Sequence, residues 1–125
     1  MKNLPYYFIG IAALFALAGM GLGIYMGTSN DMVLTPAHAH NNLLGWVSMA
    51  IFGLYYRAAP SVAATRLTLV HFWVALVANL TFPLGIAMTV LNQGQTLAIV
   101  GSLLEIISML IFAYNVWSHR DALRA

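Results

Sequence analysis

Four long apolar stretches, separated by short polar segments, dominate the pattern of hydrophobic and polar positions in the chain. They cover about residues 5–26, 36–56, 67–91 and 96–117. Each is long enough to cross about 30 Å of hydrocarbon as a helix. Helical backbone is favoured there because unpaired peptide groups are costly in lipid. The pattern therefore predicts an all-α membrane protein with four transmembrane helices.

Composition supports the same class of protein. Of the 125 residues, 62% are hydrophobic and 6% are charged, which leaves too little polar surface for a globule in water. Short loops join neighbouring antiparallel helices, so residues 1–125 are predicted to form a single up-down four-helix domain. The chain has no cysteine, which excludes disulfides, thiolate metal sites and covalent c-type heme. Its few basic residues form no dense stripe, so no nucleic-acid partner is expected.

The positions of the basic residues predict the orientation of the spans. They lie in the two tails and in the loop between the second and third spans: Lys2, Arg57, Arg66, Arg120 and Arg124. By the positive-inside rule both termini face the cytoplasm, in a multi-pass protein of a bacterial or archaeal plasma membrane. The first span resembles a signal peptide but is long enough to be retained. Tyr55 and Tyr56, next to the basic loop, are interpreted as part of an interfacial aromatic belt.

Glycines recur along one face of the first span. Gly19, Gly23 and Gly27 follow one another at four-residue spacing. Such a face lets a second helix approach closely. The pattern does not say whether that second helix belongs to the same chain or to a neighbouring copy.

Two histidines open the second span, which Thr35 is predicted to begin as the N-cap. His38 and His40 lie two residues apart, so their rings leave the helix about 200° apart and cannot share one ion. Neutral imidazole is a strong axial ligand for heme iron. The small residues of this segment leave room for a flat macrocycle: Ala37, Ala39 and Gly45. The alternative is a pair that hydrogen-bonds to headgroups and loop carbonyls.

Two further titratable residues lie within the predicted spans. Glu105 falls near the bilayer centre, where an ionised carboxylate is costly. It is either a hydrogen-bonding partner of Ser102, Ser108 or a neighbouring helix, or a proton-relay group. His71 lies near the opposite membrane face from His40, too far to share an iron with it. Its role is either structural hydrogen bonding or the handling of protons or quinone.

These motifs resemble a known family. The stretch from His38 to Trp46 continues to Gly53, Tyr55, Tyr56 and Pro60, and is followed by His71, Phe72 and Trp73. It resembles the last four-helix segment of the catalytic subunit of heme-copper oxidases, in the branch of cbb-type cytochrome oxidases and nitric oxide reductases. The resemblance covers about residues 36–78. It implies that His38 matches the ligand of the high-spin heme and His40 that of the low-spin heme.

The resemblance also implies limits and an assembly. The chain lacks the other ligands of the family's dinuclear centre, so whether it is an enzyme stays open. The family's twelve helices form three similar arcs, so three copies of this chain could reproduce them as a homotrimer. We therefore expect a heme b-binding protein of electron transfer or gas-ligand binding, with a quinone or another respiratory-chain partner. Copper is the second candidate metal, and a heme-free accessory or assembly subunit of a respiratory oxidase is the alternative function.

Overall fold

Every regular element of the chain is helical in the residues that the computed structural model describes, which are 3–123. Lys2 and Arg124, used above to orient the termini, lie outside that range. The elements are α1 (Leu4–Ser29), α2 (Thr35–His40), a π-helical segment (Asn41–Ser48), α3 (Met49–Ala58), α4 (Pro60–Ala63), α5 (Arg66–Val90) and α6 (Thr96–Ser118).

Three of these helices, α1, α5 and α6, are long and apolar enough to cross a membrane. They contain the first, third and fourth predicted spans to within a few residues. Large apolar side chains are exposed along all three, as contact with a lipid bilayer requires. The chain is therefore an all-helical, multi-pass membrane protein. Four membrane crossings and the cytoplasmic position of both termini stay predictions.

The second predicted span differs from a single α-helix. The elements α2, the π segment and α3 follow one another without a gap, and the backbone at Asn41 and Met49 is right-handed helical at both junctions. Within the π segment the Ser48 hydroxyl donates to the Leu43 carbonyl, five residues earlier. A π-helical stretch of this kind often occurs at a functional site. The hydrophobic pattern does not distinguish it from α-helix.

The start of this helical run also corrects one prediction. Thr35 is the first residue of α2, and Leu34 takes the N-cap position without a side-chain hydrogen bond. The Thr35 hydroxyl instead donates to the Met32 carbonyl, 2.7 Å away. Because the preceding turn supplies an acceptor for this hydroxyl, Thr35 does not cap α2. The helix begins at Thr35 itself, one residue earlier than predicted.

The glycine face of α1 packs against the second helical run of the same chain. A Cβ added at Gly19 would meet the Asn42 side chain, and one at Gly23 would lie 3.1 Å from the His38 ring. Gly27 has nothing within 4 Å of such an atom. Two of the three glycines therefore permit an intramolecular approach, which answers the question that the pattern left open.

The helices α5 and α6 form a tight antiparallel pair. A Cβ at Gly101 would lie 2.5 Å from Phe82 Cα, and one at Gly85 would lie 2.5 Å from the Leu97 carbonyl carbon. Small residues at helix interfaces let backbones approach in this way. At the other end of the pair, α5 and α6 pack with α1 and α3 around aromatic and aliphatic side chains. The largest buried members of that cluster are Phe8, Met49, Phe52, Tyr56 and Phe72.

Candidate functional site

His38 and His40 contact different helices. His38 lies against α1, where its ring faces Gly23. His40 lies against α5, where its ring packs edge-on against Phe82 with the ring centroids 5.1 Å apart. The two imidazoles are therefore on different sides of α2, as their spacing predicts.

His40 has the hydrogen bonding of a metal ligand. Its Nδ1 lies 2.8 Å from the Pro36 carbonyl oxygen, one helical turn earlier. A carbonyl can only accept, so Nδ1 carries a proton, and in the neutral ring Nε2 then keeps its lone pair. Among residues 3–123, nothing donates a hydrogen bond to Nε2. A ring nitrogen held in this tautomer by a backbone carbonyl is the usual arrangement of an axial histidine, so the donor chemistry fits heme iron.

His38 is arranged differently. Its Nε2 lies 3.2 Å from the Asn42 side-chain nitrogen, which donates to it. The ring proton is then on Nδ1, which is buried and has no hydrogen-bond partner. His38 could bind a metal through Nε2 only after leaving Asn42.

The space beside these rings does not match the expectation of room for a macrocycle. A Cβ at Gly45 would lie 2.7 Å from the Phe15 ring, so α1 already occupies that position. Ala37 is buried and lines a pocket of about 200 Å³ between α1, α2 and α5. Pockets for ligands the size of drugs span roughly 300–1,000 Å³. A porphyrin bound by His40 would therefore lie outside the packed helices, at their surface.

Beyond heme, the described part of the chain offers little for a metal. No group of three or more His, Cys, Asp or Glu side chains in residues 3–123 could hold an ion. A copper site usually needs several such donors at fixed geometry. Heme iron would need only one histidine from this chain, because the porphyrin brings its own nitrogen ligands.

His71 lies in a second polar site, buried between α3, α5 and α6. The Tyr56 hydroxyl lies 2.8 Å from His71 Nδ1, and the Ser108 hydroxyl lies 3.1 Å from Nε2. The Asn115 amide donates to the Tyr56 oxygen at 2.9 Å and to Thr68 Oγ1 at 3.4 Å. All five side chains are at most 1% exposed. The phenyl rings around His71 belong to Phe8, Phe52 and Phe112.

This buried site corrects the interpretation of Tyr56. As an interfacial aromatic residue it should be partly exposed, but its exposed fraction is 0%. Tyr55 stays half-buried and donates to the Asn115 carbonyl at 3.2 Å. The sequence pattern marks His71 as a candidate site residue but does not mark Tyr56, Thr68 and Asn115 as its companions. The signal that could have found them is the cost of polar groups in a membrane span, which makes each a candidate for internal hydrogen bonding.

Glu105 lies near the middle of α6, between the His40 end of the helices and the His71 site, and is half-buried. Its Oε1 is buried and has no hydrogen-bond partner. The Ser102 hydroxyl donates to the Ile99 carbonyl of its own helix, and the Ser108 hydroxyl is paired with His71. The expected hydrogen bond from Glu105 to one of these serines is therefore not formed.

Comparison of the chain with protein-family models, with curated proteins and with solved structures finds no match. The candidate function therefore depends on the chemistry of the two sites.

Proposed function

We propose that this chain is a heme b-binding membrane protein in which His40 Nε2 is an axial ligand of the iron, and that it works in electron transfer or in the binding of a diatomic gas. The bond from His40 Nδ1 to the Pro36 carbonyl is the observation that carries this proposal, because in the neutral ring it leaves the Nε2 lone pair free to bind a metal. The resemblance of residues 36–78 to heme-copper oxidases implies that His40 and His38 are both heme ligands.

The side chains around His40 would hold and orient the group. The Pro36 carbonyl fixes the ring's tautomer and plane, and Phe82 packs against its edge. When bound, heme b would supply a one-electron iron couple and, if His40 were its only protein ligand, a binding site for a gas. Leu43 and Val47 follow His40 along the helical run and are 60% and 41% exposed. They offer an apolar surface to a macrocycle at the edge of the helices.

A homotrimer is the assembly that we propose. A porphyrin at the surface of one subunit would be shielded from lipid by a neighbouring copy, and that neighbour could supply a second ligand to the iron. His38 of the neighbour would first have to leave Asn42, so a single-histidine site with an open position is the simpler state. The proposed topology puts His40 near the outer face of the plasma membrane, with both termini in the cytoplasm.

Absorption spectroscopy of the purified protein tests this proposal. Protein from heme-replete membranes is expected to show a Soret band that is lost in His40→Ala. The matched control is His119→Ala, because His119 lies beyond the end of α6 and bonds the Asn115 carbonyl. A Soret band that survives His40→Ala unchanged would overturn the assignment. Heme-free protein that purifies with a larger oxidase would instead support an accessory or assembly subunit.

A further inference from the structure

An open groove lies between the first turns of α1 and α5. Its volume is about 600 Å³, which falls within the range of ligand pockets, and every lining side chain except Asn3 is aliphatic or aromatic. The Tyr7 and Phe72 rings, with centroids 6.4 Å apart, join the two helices there. Leu4 and Phe72 are buried at the base of the groove, whereas Tyr7 and Trp73 are more than half exposed and flank its opening.

The surroundings of this groove are hydrocarbon. Both helices that form it are long and apolar enough to cross a membrane. Residues 4–11 of α1 and 69–76 of α5 include its apolar lining, so it extends about 10 Å inward from one end of the spans. An extended peptide would bring backbone N–H and C=O groups that the apolar walls could not pair. A fatty acyl chain has no such groups and runs in the same direction as the helices.

A cation lies at the mouth of the groove. Arg66 is the first residue of α5 and is exposed. Trp73 follows it by seven residues, so both lie on one face of the helix, with Arg66 about 10 Å nearer the membrane surface. The stem of an arginine packs on apolar surface while its guanidinium stays in water, where it pairs well with phosphate. Asn3, whose amide is a further hydrogen-bond donor, lines the same end of the groove.

We propose that this groove binds an anionic phospholipid, with one acyl chain between α1 and α5 and the phosphate at Arg66. A zwitterionic phospholipid has the same chains but carries a positive group beside its phosphate, so Arg66 favours a lipid of net negative charge. One basic residue near a membrane surface supplies roughly a fivefold preference. The bound chain would fill the gap between α1 and α5 at this end. Heme plays no part in this site.

Fluorescence quenching by brominated lipids tests the site in vesicles. Trp46→Phe with Trp117→Phe leaves Trp73, which lines the groove, as the reporter. The full-length protein is placed in mixtures of phosphatidylglycerol and phosphatidylcholine, with bromine on the acyl chains of one lipid at a time. We expect Trp73 to show roughly a fivefold preference for phosphatidylglycerol. Arg66→Ala should reduce that ratio to about one, and Arg66→Lys should retain most of it because the charge remains.

Arg120→Ala is the matched control, because it also removes one exposed positive charge but lies beyond α6, which contributes no side chain to the groove. Its ratio should equal that of the parent. Equal ratios in Arg66→Ala and Arg120→Ala would overturn the proposal, as would a ratio of one in the parent. Absence of quenching by either lipid would also overturn it and would indicate that a second copy covers the groove.

Salt provides a second measurement if Arg66→Ala does not fold. At 1 M salt the screening length is about 3 Å, so the parent's preference should fall toward one while quenching by both lipids persists. A preference that salt leaves unchanged would contradict a phosphate bound at Arg66.

Discussion

The close contact of α5 with α6 at Gly85 gives the sharpest test of the fold. In Gly85→Ala the new Cβ would overlap the Ala98 nitrogen, and it would lie 2.5 Å from the Leu97 carbonyl carbon. Ordinary contacts of a Cβ begin at 3.4 Å. The obstructing atoms are backbone, so no side chain can turn away, and the two helices must separate by about 1 Å.

The size of the effect follows from two opposing terms. Overpacking of this kind costs about 1–3 kcal/mol, and occasionally more. The higher helix propensity of alanine offsets about 1 kcal/mol of that. Because the clash is with backbone, we expect an overpacking cost near the upper end of that range. After the gain in helix propensity is subtracted, Gly85→Ala should lower the free energy of unfolding by about 2 kcal/mol. Titration of the protein in mixed micelles with a denaturing detergent measures it.

The control for this variant is Gly21→Ala. Gly21 lies on the exposed side of α1, and a Cβ there would have nothing within 4 Å. Its free energy of unfolding should stay the same or rise by up to about 1 kcal/mol. If Gly85→Ala proves as stable as Gly21→Ala, the packing of α5 against α6 described here is wrong.

Two further predictions concern the buried polar site and can be measured by the same titration. Tyr56→Phe leaves His71 Nδ1 without its partner and removes the shorter of the two bonds of the Asn115 amide, so we expect a loss of about 1–3 kcal/mol. This loss should exceed that of Tyr55→Phe, which removes one half-buried bond. Equal losses in the two variants would contradict the buried network. Thr65→Ala removes the hydroxyl that accepts from the backbone at the start of α5, at a cost of about 1 kcal/mol. Thr65→Ser should keep most of that stability. Equal stabilities of Thr65→Ala and Thr65→Ser would show that the cap is unimportant.

Much of the fold could be predicted because a membrane span is specified locally. Long apolar runs need no tertiary partner to become helical in lipid, so α1, α5 and α6 lie close to their predicted bounds. The π segment could not be predicted in this way, because α- and π-helix have the same composition. It is associated with packing on α1, where the Asn41 amide donates to the Phe15 carbonyl 26 residues away.

The candidate sites likewise contain some features that depend on local sequence and others that depend on how the helices pack. The bond from His40 to the Pro36 carbonyl joins residues one helical turn apart, so it depends on the local geometry of one helix. The position of His38 against Gly23 depends on how two helices pack, which the spacing of residues does not specify. Tyr56 was misassigned because a tyrosine at the end of a span has the same local sequence whether it faces lipid or the interior. The hydrogen bond between Tyr56 and His71, 15 residues away in the sequence, shows that Tyr56 faces the interior.

The most direct test of the central claim is a density map of the oligomer purified from heme-replete membranes. We predict a porphyrin beside α2 with its iron on Nε2 of His40, while Nδ1 of the same ring keeps its bond to the Pro36 carbonyl. A map in which the His40 ring touches only lipid, protein or solvent, with no macrocycle beside it, would contradict the account.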